Sequence, residues 1–371
     1  MKKKNLTGRL YSGMLTACQR KQHQDTLEVI CCCFLMALGI PGFQAAQVKS
    51  PSAISHFLND YDWSTRTLIR VMRSHALEAF RDYLRGRRGR PPMVEVIVDT
   101  TSIAKEGQFA DLNGWIHTLN RVRGLHVVML YICCGDLRLP WSFRIWRGKG
   151  TSSPQDLALQ LVRQLPKEVL TRSRQVHFLG DAGFSSVKLL KGLDALGLTF
   201  TVGMRADRQM LGGKKIRDVT SQERHIELAG LEGMELWLYW VWLPKADHGE
   251  PRQRFVITNR RRTSTTVRKT GRRRWKIEAL FKTLKSRFAF GKFGQKTKLG
   301  VLRYLCLSVA ASLLCHFERL ESQASGQEES SWPDWGELAC QVQAKLLGWV
   351  RLIQLDVGRQ RILDVWEGKT A

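Results

Sequence analysis

Between residues 94 and 202 short β-branched runs alternate with amphipathic ones, in an order that leaves few folds open. Val94-Glu-Val-Ile-Val98, Leu125 to Cys133 and Trp141 to Trp146 read as three successive strands. A helix over Pro154 to Leu165, capped by Ser152 or Ser153, precedes a strand at Val176-His-Phe-Leu179, and a helix over Val187 to Leu196 precedes one at Thr199-Phe-Thr-Val202. Three strands, helix, strand, helix, strand predicts a mixed α/β sheet whose later strands are added by right-handed crossovers. The first and fourth strands can then lie side by side and parallel. Asp99 and Asp181, each just past a strand, would emerge together.

A second constraint comes later in the chain. Within residues 251 to 298 there are seventeen Lys or Arg and a single acid, Glu278. The stretch from Arg272 to Lys285 has helical periodicity. At about 100° per residue Arg274, Glu278, Lys282 and Lys285 share one side, while Ile277, Phe281, Leu284 and Phe288 share another. One side packs; the other presents a carboxylate ringed by cations. Such a ring suits a polyanion whose phosphate is brought to a metal-binding acid.

Composition agrees with an anionic partner. The 371 residues hold 59 Lys and Arg against 33 Asp and Glu, a formal net charge of +26, and nucleic acid is the expected partner rather than a membrane. The longest apolar runs, Val29 to Ile40 and Tyr304 to Cys315, are about twelve residues, short of the roughly twenty that span a bilayer, and both read as buried helices. No secretory signal is apparent, so a cytoplasmic location is expected. The nine cysteines form no Cys-x-x-Cys pair and the adjacent ones sit in apolar runs, which argues against structural zinc and against a disulfide framework.

Outside the sheet the chain reads in blocks. Residues 1 to 90 are helical, with an apolar segment at Leu27 to Leu38 and a helix starting at Ser52. A basic helix then opens at Ser64, carrying Arg66, Arg70 and Arg73. These last two helices form either a helix-turn-helix-like DNA reader or part of a bundle with a solvated charged face. Arg85-Gly-Arg-Arg-Gly-Arg-Pro-Pro92 marks a domain boundary. Residues 205 to 259 read as β-rich, Val301 to Phe317 as an apolar helix, Glu318 to Trp335 as a flexible linker and Glu337 to Ile353 as a final helix.

Asp99, Asp181 and Glu278 could form one site. Three nearby carboxylates repel one another unless divalent cations neutralise them, which implies Mg²⁺ or Mn²⁺ on oxygen ligands, able to activate a water or 3'-hydroxyl and stabilise a leaving oxygen. Each acid alone also has a plain explanation as a turn residue or a solvated helix position, and Asp111, Asp136 and Asp156 are alternatives. Gly148-Lys-Gly-Thr-Ser-Ser153 lacks the spacing of a nucleotide-binding phosphate loop, leaving Lys149 to meet DNA or water. Neither a His-Glu-x-x-His pattern nor a Gly-x-Ser-x-Gly elbow is present.

Val98-Asp99-Thr-Thr, Leu179-Gly-Asp181-Ala-Gly-Phe184 and Arg274-Trp-Lys-Ile-Glu278 with Lys285 together resemble the three acidic motifs of bacterial insertion-sequence DDE transposases. In one branch of these enzymes a β-strand insertion precedes the glutamate, and the third motif runs Tyr, two residues, Arg, three residues, Glu, six residues, Lys. Arg274, Glu278 and Lys285 fit that spacing; Gly271 stands at the tyrosine position. The resemblance spans about residues 50 to 317. It implies an RNase H-like α/β fold: a mixed sheet flanked by helices, interrupted by a β-rich insertion, with helical regions at both ends. The corresponding blocks are a helical DNA-binding region (1–90), the two parts of the core (91–204 and 260–317), the insertion (205–259) and a C-terminal linker and helix (318–371).

The same resemblance implies that Asp99, Asp181 and Glu278 hold Mg²⁺, or Mn²⁺. Arg274 and Lys285, with Lys282, Arg272, Arg273 and Lys149 as further contacts, would hold DNA. The reaction implied is cleavage at transposon ends and strand transfer into target double-stranded DNA by a homodimer in a synaptic complex. A hairpin intermediate with an aromatic ring stacked on an extruded base is a further implication; Trp237, Trp240 and Trp242 are candidates, unless they are sheet core. The alternatives are an endonuclease on the same fold that cuts without joining, and a non-catalytic DNA-binding repressor derived from a transposase.

Overall fold

A computed structural model describes residues 5–36, 49–85, 89–106, 110–173, 175–243, 252–324 and 334–354. The first elements are helices α1 (Leu6–Leu15), α2 (Lys21–Leu35), α3 (Pro51–Asn59) and α4 (Thr65–Arg85). Strands β1 (Met93–Ala104), β2 (Ile116–Leu119), β3 (Val122–Cys134) and β4 (Leu137–Ile145) follow. Next come α5 (Pro154–Arg163), α6 (Lys167–Arg172), β5 (Gln175–Gly180), α7 (Val187–Ala195) and β6 (Thr199–Met204). The rest are β7 (Arg224–Ile226), β8 (Leu236–Leu243), β9 (Arg252–Thr258), α8 (Ser264–Arg273), α9 (Trp275–Ser286), α10 (Lys298–Ala324) and α11 (Trp335–Gln354). The chain divides into a sheet unit, residues 87–107 and 114–279, and a helical unit made of 1–86, 108–113 and 280–371.

In the sheet unit β1 pairs antiparallel with β3 and parallel with β5, and β5 pairs parallel with β6, so the expected adjacency of first and fourth predicted strands is present. β2 and β4 both pair with β3 on its other side. The β-rich stretch at 205–259 extends the same sheet: β9 runs antiparallel to β6, β8 to β9 and β7 to β8. A free β6 edge would leave a row of unpaired backbone groups, and these strands cover it. α5 rests on β1, β3 and β4, while α8 rests on β6 and β8. Ser153 caps α5 in a capping box with Asp156, behind Pro154 at the first turn.

Strand β1 is longer than its β-branched run. It continues past Asp99 to Ala104 because the antiparallel ladder to β3 persists, from Asp99 opposite Met129 to Ala104 opposite Gly124. The parallel ladder to β5 stops at Ile97 opposite Leu179. Asp99 therefore lies within a strand, two residues beyond the last parallel pair, and Asp181 lies two residues beyond Leu179 on the neighbouring strand.

The helical unit packs α4 on α1 and α10, α3 on α10 and α2, and α11 on α10 and α2. α3 and α4 thus enter a bundle, with Arg66 and Arg70 on the exposed side of α4. The cap of α3 is Ser50, not Ser52: its side chain accepts from the Ala53 N–H at 3.1 Å, and Pro51 occupies the first turn, where a missing N–H costs nothing. The expected linker at Glu318 is helical to Ala324, because Glu321 accepts from the Thr7 N–H at 2.9 Å and Lys345 binds both Glu318 and Glu321. The remainder of that linker, residues 325–333, lies outside the described residues. α10 contains a segment, Lys298–Gln323, long and apolar enough to cross a membrane, but 89% of its most apolar window is buried within the fold.

Candidate active site

The basic stretch expected as one helix is two. α8 ends at Arg273 and α9 begins at Trp275, with a tighter turn at Arg274: the Arg274 N–H donates to the Gly271 carbonyl at 3.2 Å and the Ile277 N–H donates to the Arg274 carbonyl at 3.1 Å. Ile277, Phe281, Leu284 and Phe288 are all buried, as their spacing predicts. Arg274 turns the other way. It donates to Asp99 Oδ2 at 2.8 Å and to Glu278 Oε1 at 2.5 Å, joining two of the three expected acids through one guanidinium.

Asp181 caps the short turn Ala182–Phe184, accepting from the Gly183 N–H at 2.8 Å. Asp99 Oδ1 accepts from the Thr100 N–H at 2.7 Å. Burial, followed by the negative charge of Asp181, pushes the Asp99 carboxyl up to about 6; Glu278 adds to the rise, and Arg274 and Thr100 oppose it. All three acids therefore meet electrostatically at Asp99. They do not form the compact three-donor cluster expected: among the described residues no three His, Cys, Asp or Glu groups stand close enough to hold one metal ion. Arg274 stands between Asp99 and Glu278 and supplies positive charge there. In chemistry the donors fit a hard divalent cation, being three carboxylates, of which Asp99 is raised by burial first and by the charge of Asp181 second in the presence of Arg274.

Since the folded-state pKa of Asp99 lies above the value near 4 of an unfolded Asp, the fold favours the protonated acid. Its stabilising contribution is full below pH ~4 and is lost as pH rises through about 6. Denaturant unfolding of the metal-free protein and of Asp99→Asn across pH 4 to 8 should show the variant gaining on the parent with rising pH. A difference independent of pH would mean that Asp99 titrates normally.

Asp181 and Glu278 line a cleft of about 750 Å³ together with Arg254, Arg268, Arg272 and Arg274. Two tryptophans open into it: Trp242, 61% exposed, and Trp275, 60% exposed. Of the other aromatic candidates, Trp237 is half-buried under the Arg261 guanidinium, 5.1 Å from its ring centroid, and Trp240 meets Phe255 edge-on. Trp275 was not expected from the sequence, where its place beside basic residues on a helix suggested no role. Gly271 also lines the cleft, and a side chain there would meet open space.

Gly203 has a stricter duty. A Cβ at this position would lie 2.7 Å from the Ala182 backbone nitrogen, inside the turn that carries Asp181. Gly203→Ala should displace that turn, costing roughly 1–3 kcal/mol and most of the activity. Unchanged thermal stability and activity would show that β6 does not brace Asp181.

The remaining predicted contacts fall in different places. Arg273 donates to Glu95 at 2.9 Å and Lys276 to the other oxygen of the same carboxylate at 2.6 Å, so Arg273 is engaged with the sheet. Glu95 is buried on β1, and an acid inside the apolar run Val94–Val98 was the available signal for this clamp. Lys282 and Lys285 are exposed on α9 beyond the point where the helical unit begins. Lys149 is exposed in a glycine turn and does not line the cleft. Asp156 is held by Lys188 and Ser153, which lower its carboxyl to about 2, and Asp111 and Asp136 are exposed. His177 cannot act as a base, because burial drives it down to about 3 and Thr199 and Thr201 occupy both ring nitrogens.

In overall structure the chain is similar to piggyBac transposase, determined by cryo-EM as a synaptic complex with hairpin DNA. The TM-score is 0.56 at 11% sequence identity, over 95% of this chain and 80% of the other, a likeness of fold. No curated protein is significantly similar in sequence. A family model described as the transposase DDE domain matches residues 90–314, more than half of the chain and a range that contains Asp99, Asp181 and Glu278. The chain belongs to the transposase DDE-domain family.

Proposed function

We propose that this transposase cuts DNA at the ends of a mobile element and transfers the cut strand into target DNA, with Asp99, Asp181 and Glu278 holding Mg²⁺, which Mn²⁺ can replace. The observation that carries the reading is the Arg274 guanidinium, which binds Asp99 at 2.8 Å and Glu278 at 2.5 Å beside an arginine-lined cleft that Asp181 and Glu278 border. The bound ion would polarise the scissile phosphate and lower the pKa of the attacking hydroxyl. Arg254, Arg268 and Arg272 would bind backbone phosphates at the rim. Arg274 orients Asp99 and Glu278 through its two hydrogen bonds, and the exposed Lys282 and Lys285 extend the cationic surface along α9. A homodimer pairing two ends, acting at the bacterial nucleoid in the cytoplasm, completes the reading.

Purified protein, labelled end DNA and Mg²⁺ should yield nicked and then joined products. Cutting without joining would favour the endonuclease, and salt-sensitive binding without cleavage would favour the repressor. Calorimetric titration with Mg²⁺ should show apparent affinity falling below pH ~6, as protons compete for Asp99. Affinity independent of pH from 5 to 8 would remove Asp99 from the ligand set.

A further inference from the structure

The acid cleft does not end at its own walls. It shares Ala182, Met204, Arg254 and Phe255 with a second hollow of about 460 Å³, whose outer wall carries Arg205 and Arg217. That hollow in turn shares Ala182, Met204, Arg205 and Asp207 with a third of about 640 Å³, bordered by Ser185 and Ser186. Common walls make the three one groove, running across the end of β6 and wholly within the sheet unit.

We propose that this groove is the path of a single unpaired DNA strand, leading from Asp181 and Glu278 over the tip of β6 to Arg205 and Arg217. The inference rests on the DNA-cleaving function proposed above and adds to it the form of the DNA and its course. One feature selects a single strand over a duplex, and a second lowers the cost of binding. The groove is amphiphilic: Arg205, Arg217 and Arg254 are exposed, while Met204 and Phe255 line it and Trp242 and Trp275 open their rings into its cleft end. An unpaired strand offers phosphates and open base faces at once, whereas a duplex hides its base faces in the stack. The second feature is pre-organisation. The Arg217 N–H donates to the Ala206 carbonyl at 3.1 Å and the Ile216 N–H to the Arg208 carbonyl at 3.0 Å, with Ile216 fully buried, so the loop after β6 is held in one shape. Asp207 pairs with Arg205 at 3.2 Å and Asp218 lies 3.9 Å from Arg217, all four side chains at least half exposed, weak contacts that a phosphate can replace.

Fluorescence anisotropy should compare a labelled blunt duplex with the same duplex carrying a single-stranded tail, using the parent chain, Arg205→Ala/Arg217→Ala and Arg205→Lys/Arg217→Lys. The parent should bind the tailed DNA more tightly. The alanine pair should lose about tenfold on tailed DNA, with the salt slope falling by about 1.4 for two single-strand phosphate contacts, and should bind blunt duplex as the parent does. The lysine pair should keep most of the tail preference. Equal losses on both substrates, or none on either, would overturn the strand path and leave the cleavage reading intact. A parent chain that binds neither DNA would remove both.

Discussion

Glu278→Gln is expected to abolish strand cleavage while DNA binding stays within about twofold of the parent. The substitution keeps the shape and one acceptor for Arg274, whose guanidinium lies 2.5 Å from the carboxylate, but removes the negative charge that a divalent ion needs. A metal at a phosphoryl centre supplies several kcal/mol of transition-state stabilisation, and about 1.4 kcal/mol is tenfold in rate. Loss of a ligand should therefore cost on the order of a thousandfold or more. Binding should survive because Glu278 repels phosphate rather than holding it; Arg254, Arg268 and Arg272 still line the cleft. Single-turnover cleavage and gel-shift affinity, measured on the same preparation, separate the two effects. Cleavage within tenfold of the parent would exclude Glu278 from the metal site.

Arg303→Ala should produce the largest loss of stability among single substitutions in the helical unit. Arg303 is 3% exposed on α10 and donates to the carbonyls of Phe57, Leu58, Tyr61 and Trp63 and to the Thr65 hydroxyl. Its guanidinium also lies 4.3 Å from the Trp63 ring centroid. These groups form the end of α3 and the turn into α4; the Phe57 carbonyl also accepts from the Trp63 indole and the Tyr61 carbonyl from the Trp63 N–H, so the Leu58 and Trp63 carbonyls are the acceptors that depend on Arg303. Each buried acceptor left unpaired costs about 1–3 kcal/mol. Even with water replacing some bonds, a loss of roughly 4 kcal/mol is expected, lowering the melting temperature by about 10 °C. Arg303→Lys should recover little, since an ammonium has three donors and no plane to lie over Trp63. A melting temperature within about 2 °C of the parent would show that the turn holds itself.

Much of the sheet and of the candidate site was legible in the sequence. The alternation of strands and helices from Val94 to Val202 announced the parallel neighbours β1 and β5, and the lone acid of the basic segment marked Glu278. The period of Ile277, Phe281, Leu284 and Phe288 identified the packed side of α9. Other elements were hidden because their cause lies in a distant partner. β1 runs beyond Asp99 only because β3 lies beside it. Helix α10 outlasts its apolar stretch because Glu318 and Glu321 meet Lys345 and Thr7. The cap of α3 fell on Ser50 because Pro51 suits the first turn better than an interior position.

What the sequence alone determined is on which kinds of element the candidate acids and cations sit, because periodicity and local charge are properties of neighbours along the chain. Only the tertiary structure decided what each charge does. It turned Arg274 toward Asp99 and Glu278 and committed Arg273 and Lys276 to the buried Glu95. It also opened Trp242 and Trp275 into the acid cleft while covering Trp237 with Arg261. The physical reason is that a cation's role depends on which anion lies within a few ångströms of it and on how much water remains between them, and the pairs that matter here are joined across the sheet by residues up to about 180 positions apart.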